Sequence, residues 1–246
     1  MAKGTIHIGT SGFYYEHWRG LFYPNDLPKT RFFDYYVQHF STVELNSTFY
    51  HLPRQKTTEH WMQKSPDDFL FSLKAYRGIT HYKKLEEVDD ELYRFLHLIK
   101  PMKPKLGSIL FQLPPSLHYD LPRLESFFNI LPRGYRYTIE FRHPSWLVEE
   151  TYTLLKAFNV ALCLNDYGKR TMEPVVTADF VYLRFHGPTG RYGGSYDDET
   201  LKEWAQKIVA WAQEGRDLLI YFNNDTQGYA VQNAFRLQEI VGLTLK

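Results

Sequence analysis

The sequence predicts an α/β protein built as a single (β/α)8 TIM-type barrel, on three observations. Eight short apolar runs with strand character recur along 246 residues. Segments of helical period separate most of them, and the total length suits one barrel. No Ser/Gly linker, charge block or low-complexity tract divides the chain, so residues 1–246 are expected to form one domain. A doubly wound open sheet is the competing architecture, because a single sequence does not state strand order.

The expected strands are Thr5–Gly9, Thr42–Asn46, Phe69–Lys74, Ser108–Gln112, Tyr137–Arg142, Val160–Asp166, Val181–His186 and Leu218–Asn223. Between the third and fourth, Asp89-Asp90-Glu91 puts carboxylates where a helix dipole favours them, just before the apolar stretch Leu92–Leu98. Between the seventh and eighth, Leu201, Trp204, Ala205, Ile208, Val209 and Ala212 recur at helical spacing behind Asp197-Asp198-Glu199. Between the sixth and seventh, Gly168–Ala178 carries Pro174 and no clear period, so that helix is expected to be short or missing.

Composition narrows the function classes. Lys plus Arg number 29 and Asp plus Glu 28, a net charge of +1. A protein that holds DNA by bulk charge alone is thereby excluded. Hydrophobic residues at 43% and charged residues at 23% give a chain able to bury a core. The single cysteine, Cys163, excludes an intrachain disulfide and a cysteine zinc cluster, and its apolar neighbours Val160–Leu164 make it a buried, inert thiol. No apolar stretch approaches the roughly 20 residues that span a bilayer. The segment Met1–Ile6 lacks the apolar core of a signal peptide, so a cytoplasmic location without a membrane partner is expected. Aromatic residues are abundant at 17%.

Alternation along the strands singles out a candidate site. Thr42, Glu44 and Asn46 share one face of the second strand, opposite Val43 and Leu45. Thr138, Glu140 and Arg142 share a face of the fifth, and Tyr182, Arg184 and His186 of the seventh. Ser72 pairs with Lys74 on the third, and Tyr221 with Asn223 on the eighth. Helices cover the outside of a barrel, so these polar faces must look inward. Glu44, Asn46, Lys74, Gln112, Glu140, Arg142, Asp166, Arg184, His186 and Asn223 all fall late in their strands, the end at which barrel enzymes carry their sites. The bland alternative is a self-satisfied ion network that fixes the barrel.

The loops following these strands mix rings with cations. Tyr14 and Trp18 follow the first strand, Tyr50 the second, and Arg77, Tyr82 and Lys83 the third. Such loops suit stacking on flat ligands and guanidinium contacts to phosphate; the bland reading is that Tyr14, Trp18, Phe22 and Tyr23 form a loop's own small core. Gly187–Tyr196 is glycine-rich and follows the seventh strand, as a phosphate loop or lid would. Gly9–Gly12 could offer backbone amides to an anion. No P-loop, dinucleotide fingerprint, H-E-x-x-H or G-x-S-x-G is present, so neither a metal nor a cofactor is expected. Glu44 and Glu140 could form an acid/base pair whose pKa values are split by burial and cationic neighbours, with His186 assisting.

Several stretches together resemble one family. They are Gly9–Gly12, Val43–Tyr50, Ile79–His81, Gln112–Pro115, Glu140–Trp146, Arg184–Gly187 and Tyr221–Asn224. In this order along the whole chain they are similar to the domain of unknown function 72 family, the YecE-like proteins. Phe13 departs from the tryptophan usual there, which removes an indole N–H. The resemblance implies a TIM-type barrel and no established activity. It also implies a fold likeness to the endonuclease-four class of apurinic-site nucleases, although the three-metal ligand set of that class is not evident here.

Three functional expectations follow. The first is a barrel mouth that binds a phosphate-bearing small molecule or single-stranded nucleic acid. Lys74, Arg142 and Arg184 would face the anion, Glu44 and Glu140 would handle protons, and Tyr14, Trp18, Tyr50 and Tyr82 would stack. The second is a metal-independent enzyme acting on a small sugar or sugar phosphate through the same carboxylates. The third is a non-enzymatic interaction protein that displays its aromatic loops.

Overall fold

The computed structural model describes residues 2–166, 174–190 and 192–244. Eight parallel strands close into a barrel in sequence order: β1 (Ile6–Ser11), β2 (Thr42–Leu45), β3 (Leu70–Lys74), β4 (Leu106–Gln112), β5 (Tyr137–Glu140), β6 (Val160–Asn165), β7 (Phe180–Phe185) and β8 (Asp217–Phe222). The closing pair, β1 with β8, runs from Ile6 against Leu218 to Thr10 against Phe222. The open-sheet alternative is thereby removed.

Helices α1 (Phe32–Tyr36), α2 (Ser47–Tyr50), α3 (Gln55–Lys64), α4 (Asp89–Ile99), α5 (Leu121–Asn129), α6 (Glu149–Phe158), α7 (Asp198–Gln213) and α8 (Tyr229–Thr244) lie in the connections and after β8. Their apolar stripes meet the outward faces of the strands. In α7 these are Leu201, Ala205, Ile208, Val209 and Ala212; burying each of the larger three contributes about 1.5–3 kcal/mol. Asp197 caps this helix by accepting from Thr200 N at 2.8 Å. The acidic start expected before Leu92 opens α4. Residues 174–179, ahead of β7, carry no helix, while residues 167–173 of the short-or-missing helix lie outside the described residues.

The first connection departs from the barrel pattern. In place of a long helix it carries two single 3-10 turns and the five-residue α1. An aromatic cluster consolidates it, with Tyr23 stacked on Phe32 at 4.0 Å and Trp18, Phe22, Phe33, Tyr36 and Phe40 buried around them.

Inside the barrel, residues from alternate strand positions form a second, smaller core that includes Leu110, Ala161, Phe180 and Leu219. Hydroxyls fill much of the remaining space. The Tyr221 hydroxyl lies 2.7 Å from Thr42 Oγ1 and 2.8 Å from Ser72 Oγ, and Ser108 Oγ lies 2.7 Å from Thr138 Oγ1. Barrel interiors are commonly filled by branched aliphatic side chains; here directional bonds share that role.

Candidate functional site

Above the hydroxyls, toward the C-terminal ends of the strands, lies a buried ion cluster. Arg184 on β7 reaches across the barrel to two carboxylates. Its Nη2 donates to Glu44 Oε1 at 2.7 Å and its Nη1 to Glu140 Oε2 at 2.6 Å. Glu44 and Glu140 are wholly buried and Arg184 is 2% exposed. Ser11 Oγ and the Tyr182 hydroxyl each donate to Glu44 at 2.7 Å. On the other side, Arg142 Nε stands 2.5 Å from Glu140 Oε1.

These contacts decide the ionisation states. Burial alone would push Glu44 up, but the Arg184 guanidinium and the bonds from Tyr182 and Ser11 outweigh it and hold the carboxyl below its ordinary range. Burial opposes ionisation of Glu140 as well, yet Arg184 and Arg142 hold it well below that range. Both carboxyls therefore shift in one direction, below their ordinary range. Arg184 binds both groups, and Arg142 adds a second cation beside Glu140. Burial pushes the Cys163 thiol well up, and Glu140 beside it adds to the effect, in keeping with an inert thiol.

His186 sits just beyond β7. Burial pushes its imidazole down against the opposing pull of Glu140. Its Nε2 lies 3.5 Å from Glu140 Oε1 and 3.4 Å from Arg142 Nη2, and Asn223 Nδ2 approaches Nδ1 at 3.3 Å. The Asp166 carboxylate accepts from His186 N at 2.7 Å and from the Tyr196 hydroxyl, which itself accepts from Gly187 N at 2.6 Å. Asp166 therefore pins the start and end of the glycine-rich loop. Asn224 Nδ2 donates to Gly194 O at 2.8 Å, and Asn233 Oδ1 on α8 accepts from Tyr196 N at 3.2 Å. Gly187 has φ +100° and an added Cβ would stand 2.1 Å from Gly193 O, so only glycine fits that turn. Arg191 lies outside the described residues.

A cavity of about 540 Å³ opens above the cluster, lined in part by Asn46, Tyr50, Lys74, Gln112, Arg184 and Asn223. Lys74 stands at its wall. Its Nζ donates to Gln112 Oε1 at 2.6 Å and lies 4.1 Å from the centre of the Phe49 ring. Among the described residues no carboxylate pairs with it. Burial, reinforced by Arg184, pushes its pKa down to about 8. The His81 ring meets Phe49 at 4.8 Å in a T-shaped contact, and burial and the charge of Lys74 push His81 down to about 4.

The loop rings divide. Tyr14, Tyr50 and Tyr82 are exposed at 58%, 53% and 63%. The Arg77 guanidinium lies between two of them, 5.9 Å from the Tyr50 ring and 5.2 Å from the Tyr82 ring. Trp18, in contrast, is fully buried, and its Nε1 donates to Asp225 Oδ1 at 2.7 Å. It belongs to the aromatic cluster of the first connection, so the stacking role expected of it is closed. The amides expected at Gly9–Gly12 are also committed: β1 runs on to Ser11, and Thr10 N donates to the Tyr36 hydroxyl at 3.0 Å. No three His, Cys, Asp or Glu side chains among the described residues gather as a metal-binding group, and no described helix is long and apolar enough to cross a membrane.

The sequence profile described as "Protein of unknown function DUF72" matches residues 7–246. The chain belongs to the DUF72 family. The UPF0759 protein YecE of Escherichia coli K12 is 36% identical to this DUF72 chain over 204 residues, covering 72% of it and 74% of YecE. The UPF0759 protein YunF of Bacillus subtilis 168 is 25% identical, covering 97% and 95% of the two chains. Among solved structures, a DUF72 family protein from Thermotoga maritima superposes with a TM-score of 0.88 at 30% identity, covering 97% of this chain and 99% of that one.

Several members of the DUF72 site escape motif reading. Tyr182 falls on the polar face of its strand, yet its role as a donor to Glu44 depends on the barrel closing over 138 residues. Asn233 on α8 holds the end of the loop after β7 through Tyr196 N, a contact 37 residues apart in sequence. The signal for Asn233 was an amide on the buried stripe of α8, where apolar residues otherwise prevail.

Proposed function

We propose that this protein binds a small phosphate-bearing ligand at the C-terminal mouth of its barrel, with Lys74 as the group that meets the anion. One observation carries the reading. Glu44 and Glu140 are balanced by Arg184 and Arg142, which leaves Lys74 as a half-buried cation whose hydrogen-bond partner is the neutral Gln112. A buried charge without a counter-ion is unfavourable, and an arriving anion relieves it. Asn223, Thr226 and Tyr192 line the same cavity and suit an anion with several oxygens, while the Asp225 carboxylate in that lining is engaged by His17 at 3.0 Å and Trp18 Nε1 at 2.7 Å. The self-satisfied network of the bland reading thus takes up Glu44, Glu140, Arg142 and Arg184 and leaves Lys74 outside it.

A small ligand fits better than a strand. Binding a polynucleotide calls for several cations free to displace counterions. Here Lys29 is already paired with Glu16, Lys83 with Glu91 and His17 with Asp225. A second reading, turnover of a small sugar phosphate, draws on the same anchor. With Glu44 and Glu140 both held ionised, the group poised to exchange a proton near neutrality is Lys74.

Calorimetric titration with inorganic phosphate and ribose 5-phosphate tests the proposal. Both should bind near neutral pH, weaken as pH rises through about 8 while the ammonium loses its proton, and bind Lys74→Met at least tenfold more weakly at unchanged melting temperature. Undiminished binding by Lys74→Met overturns the reading. So does a partner preference confined to oligonucleotides with steep salt dependence.

A further inference from the structure

We infer that the aromatic groove beside the mouth is a second subsite for the same ligand and takes a planar heterocycle, so that the ligand class is a nucleoside monophosphate. The inference rests on the phosphate reading of Lys74 and extends it to the rest of the molecule bound.

The groove encloses about 740 Å³ between the loop after β1, residues 29–33, and α3, a volume within the range of small-molecule sites. Its base is apolar, formed by buried Phe13, Phe33 and Leu45. The Tyr14 ring, more than half exposed, and the partly buried Trp61 indole form its sides. Lys56 and His60, four residues apart on one face of α3, give it a polar rim. Exposed tyrosine and tryptophan faces beside cations are the surfaces on which bases stack.

Two observations tie this groove to the mouth. Tyr15 and Asn46 line both cavities, so the two spaces adjoin across these residues. At that junction Asn46 Oδ1 is buried and has no hydrogen-bond partner. Buried acceptors are rarely left in this state. A ring amine or a ribose hydroxyl lying between a stacked ring and a phosphate would supply the missing donor. An aliphatic tail would satisfy the apolar base of the groove but leave that acceptor bare.

The test compares ribose 5-phosphate with AMP, GMP, CMP and UMP in calorimetric titrations of the full chain. At least one nucleotide should bind the wild type about five- to 150-fold more tightly than ribose 5-phosphate, the gain that one base stack supplies. Tyr14→Ala should erase that gain and leave ribose 5-phosphate affinity unchanged. Trp61→Leu should do the same and also abolish any quenching of tryptophan emission by the nucleotide. Because Trp61 also packs near the Phe71 ring at 6.4 Å, Tyr14→Ala is the deciding variant. If ribose 5-phosphate binds and no nucleotide binds more tightly, the groove subsite is overturned while the mouth reading stands. If Tyr14→Ala weakens ribose 5-phosphate as much as the nucleotide, the subsite is likewise overturned. If no phosphate compound binds the wild type, the mouth reading itself fails and the subsite with it.

Discussion

Arg184→Met is the sharpest probe of the interior. The substitution keeps most of the side-chain volume and removes the guanidinium that touches both buried carboxylates, at 2.6 and 2.7 Å. Glu44 would keep only neutral donors, Ser11 and Tyr182, while Glu140 would keep Arg142. Removing one partner from a buried ion pair costs about 3–5 kcal/mol, because a charge is left uncompensated. For a chain of this size each kcal/mol moves the melting temperature by about 2–4 °C, so a fall of roughly 6–20 °C is expected. Urea unfolding at pH 7 and pH 5 adds a signed test. In the wild type both carboxyls are held below their ordinary range, so their contribution is present above the unfolded-state pKa and is lost as pH falls through the lowered folded value. In Arg184→Met, Glu44, left without a cation, takes up a proton at higher pH than before. The stability gap to wild type should therefore narrow from pH 7 to pH 5. A gap below about 1 kcal/mol at pH 7, the scale of a solvent-exposed pair, refutes the buried cluster.

Two further outcomes follow from the loops. Tyr196→Phe deletes a hydroxyl that donates to Asp166 and accepts from Gly187 N. It should cost about 1–3 kcal/mol and speed hydrogen exchange at Gly187, and unchanged exchange there would show that the bond does not hold the loop. Trp18→Phe removes the N–H bonded to Asp225 and should lower stability by a similar 1–3 kcal/mol, roughly. Because the ring is buried, phosphate affinity should stay the same, and a selective loss of affinity at full stability would place Trp18 in the site after all.

The barrel was legible because its strands separate two kinds of neighbour. Val43, Leu45, Leu183 and Phe185 pack outward, while Glu44, Tyr182 and Arg184 interrupt the same runs at period two. The end of β1 was not legible. Gly9, Thr10 and Ser11 are residue types common in turns, yet pairing of Thr10 with Val43 and Ser11 with Glu44 extends the strand through them. Which cation meets which carboxylate was also hidden, because Arg184 lies 140 residues from Glu44 and only closure of the barrel joins them. The fate of the loop aromatics could not be read from composition. Tyr14 and Trp18 sit four positions apart in one ring-rich segment, and packing alone sends one outward and the other into the core.

The hydroxyl contacts beneath the ion cluster carry a consequence for adaptation. Tyr221 stitches β8 to β2 and β3, and Ser108 stitches β4 to β5. A greasy plug would let neighbouring strands slide by fractions of an ångström, whereas stitches of fixed length and direction lock their stagger. The keyhole is thus cut before anything enters it. Changes in what this scaffold accepts should then arise from exchanging loop side chains around a frame that does not reshape itself.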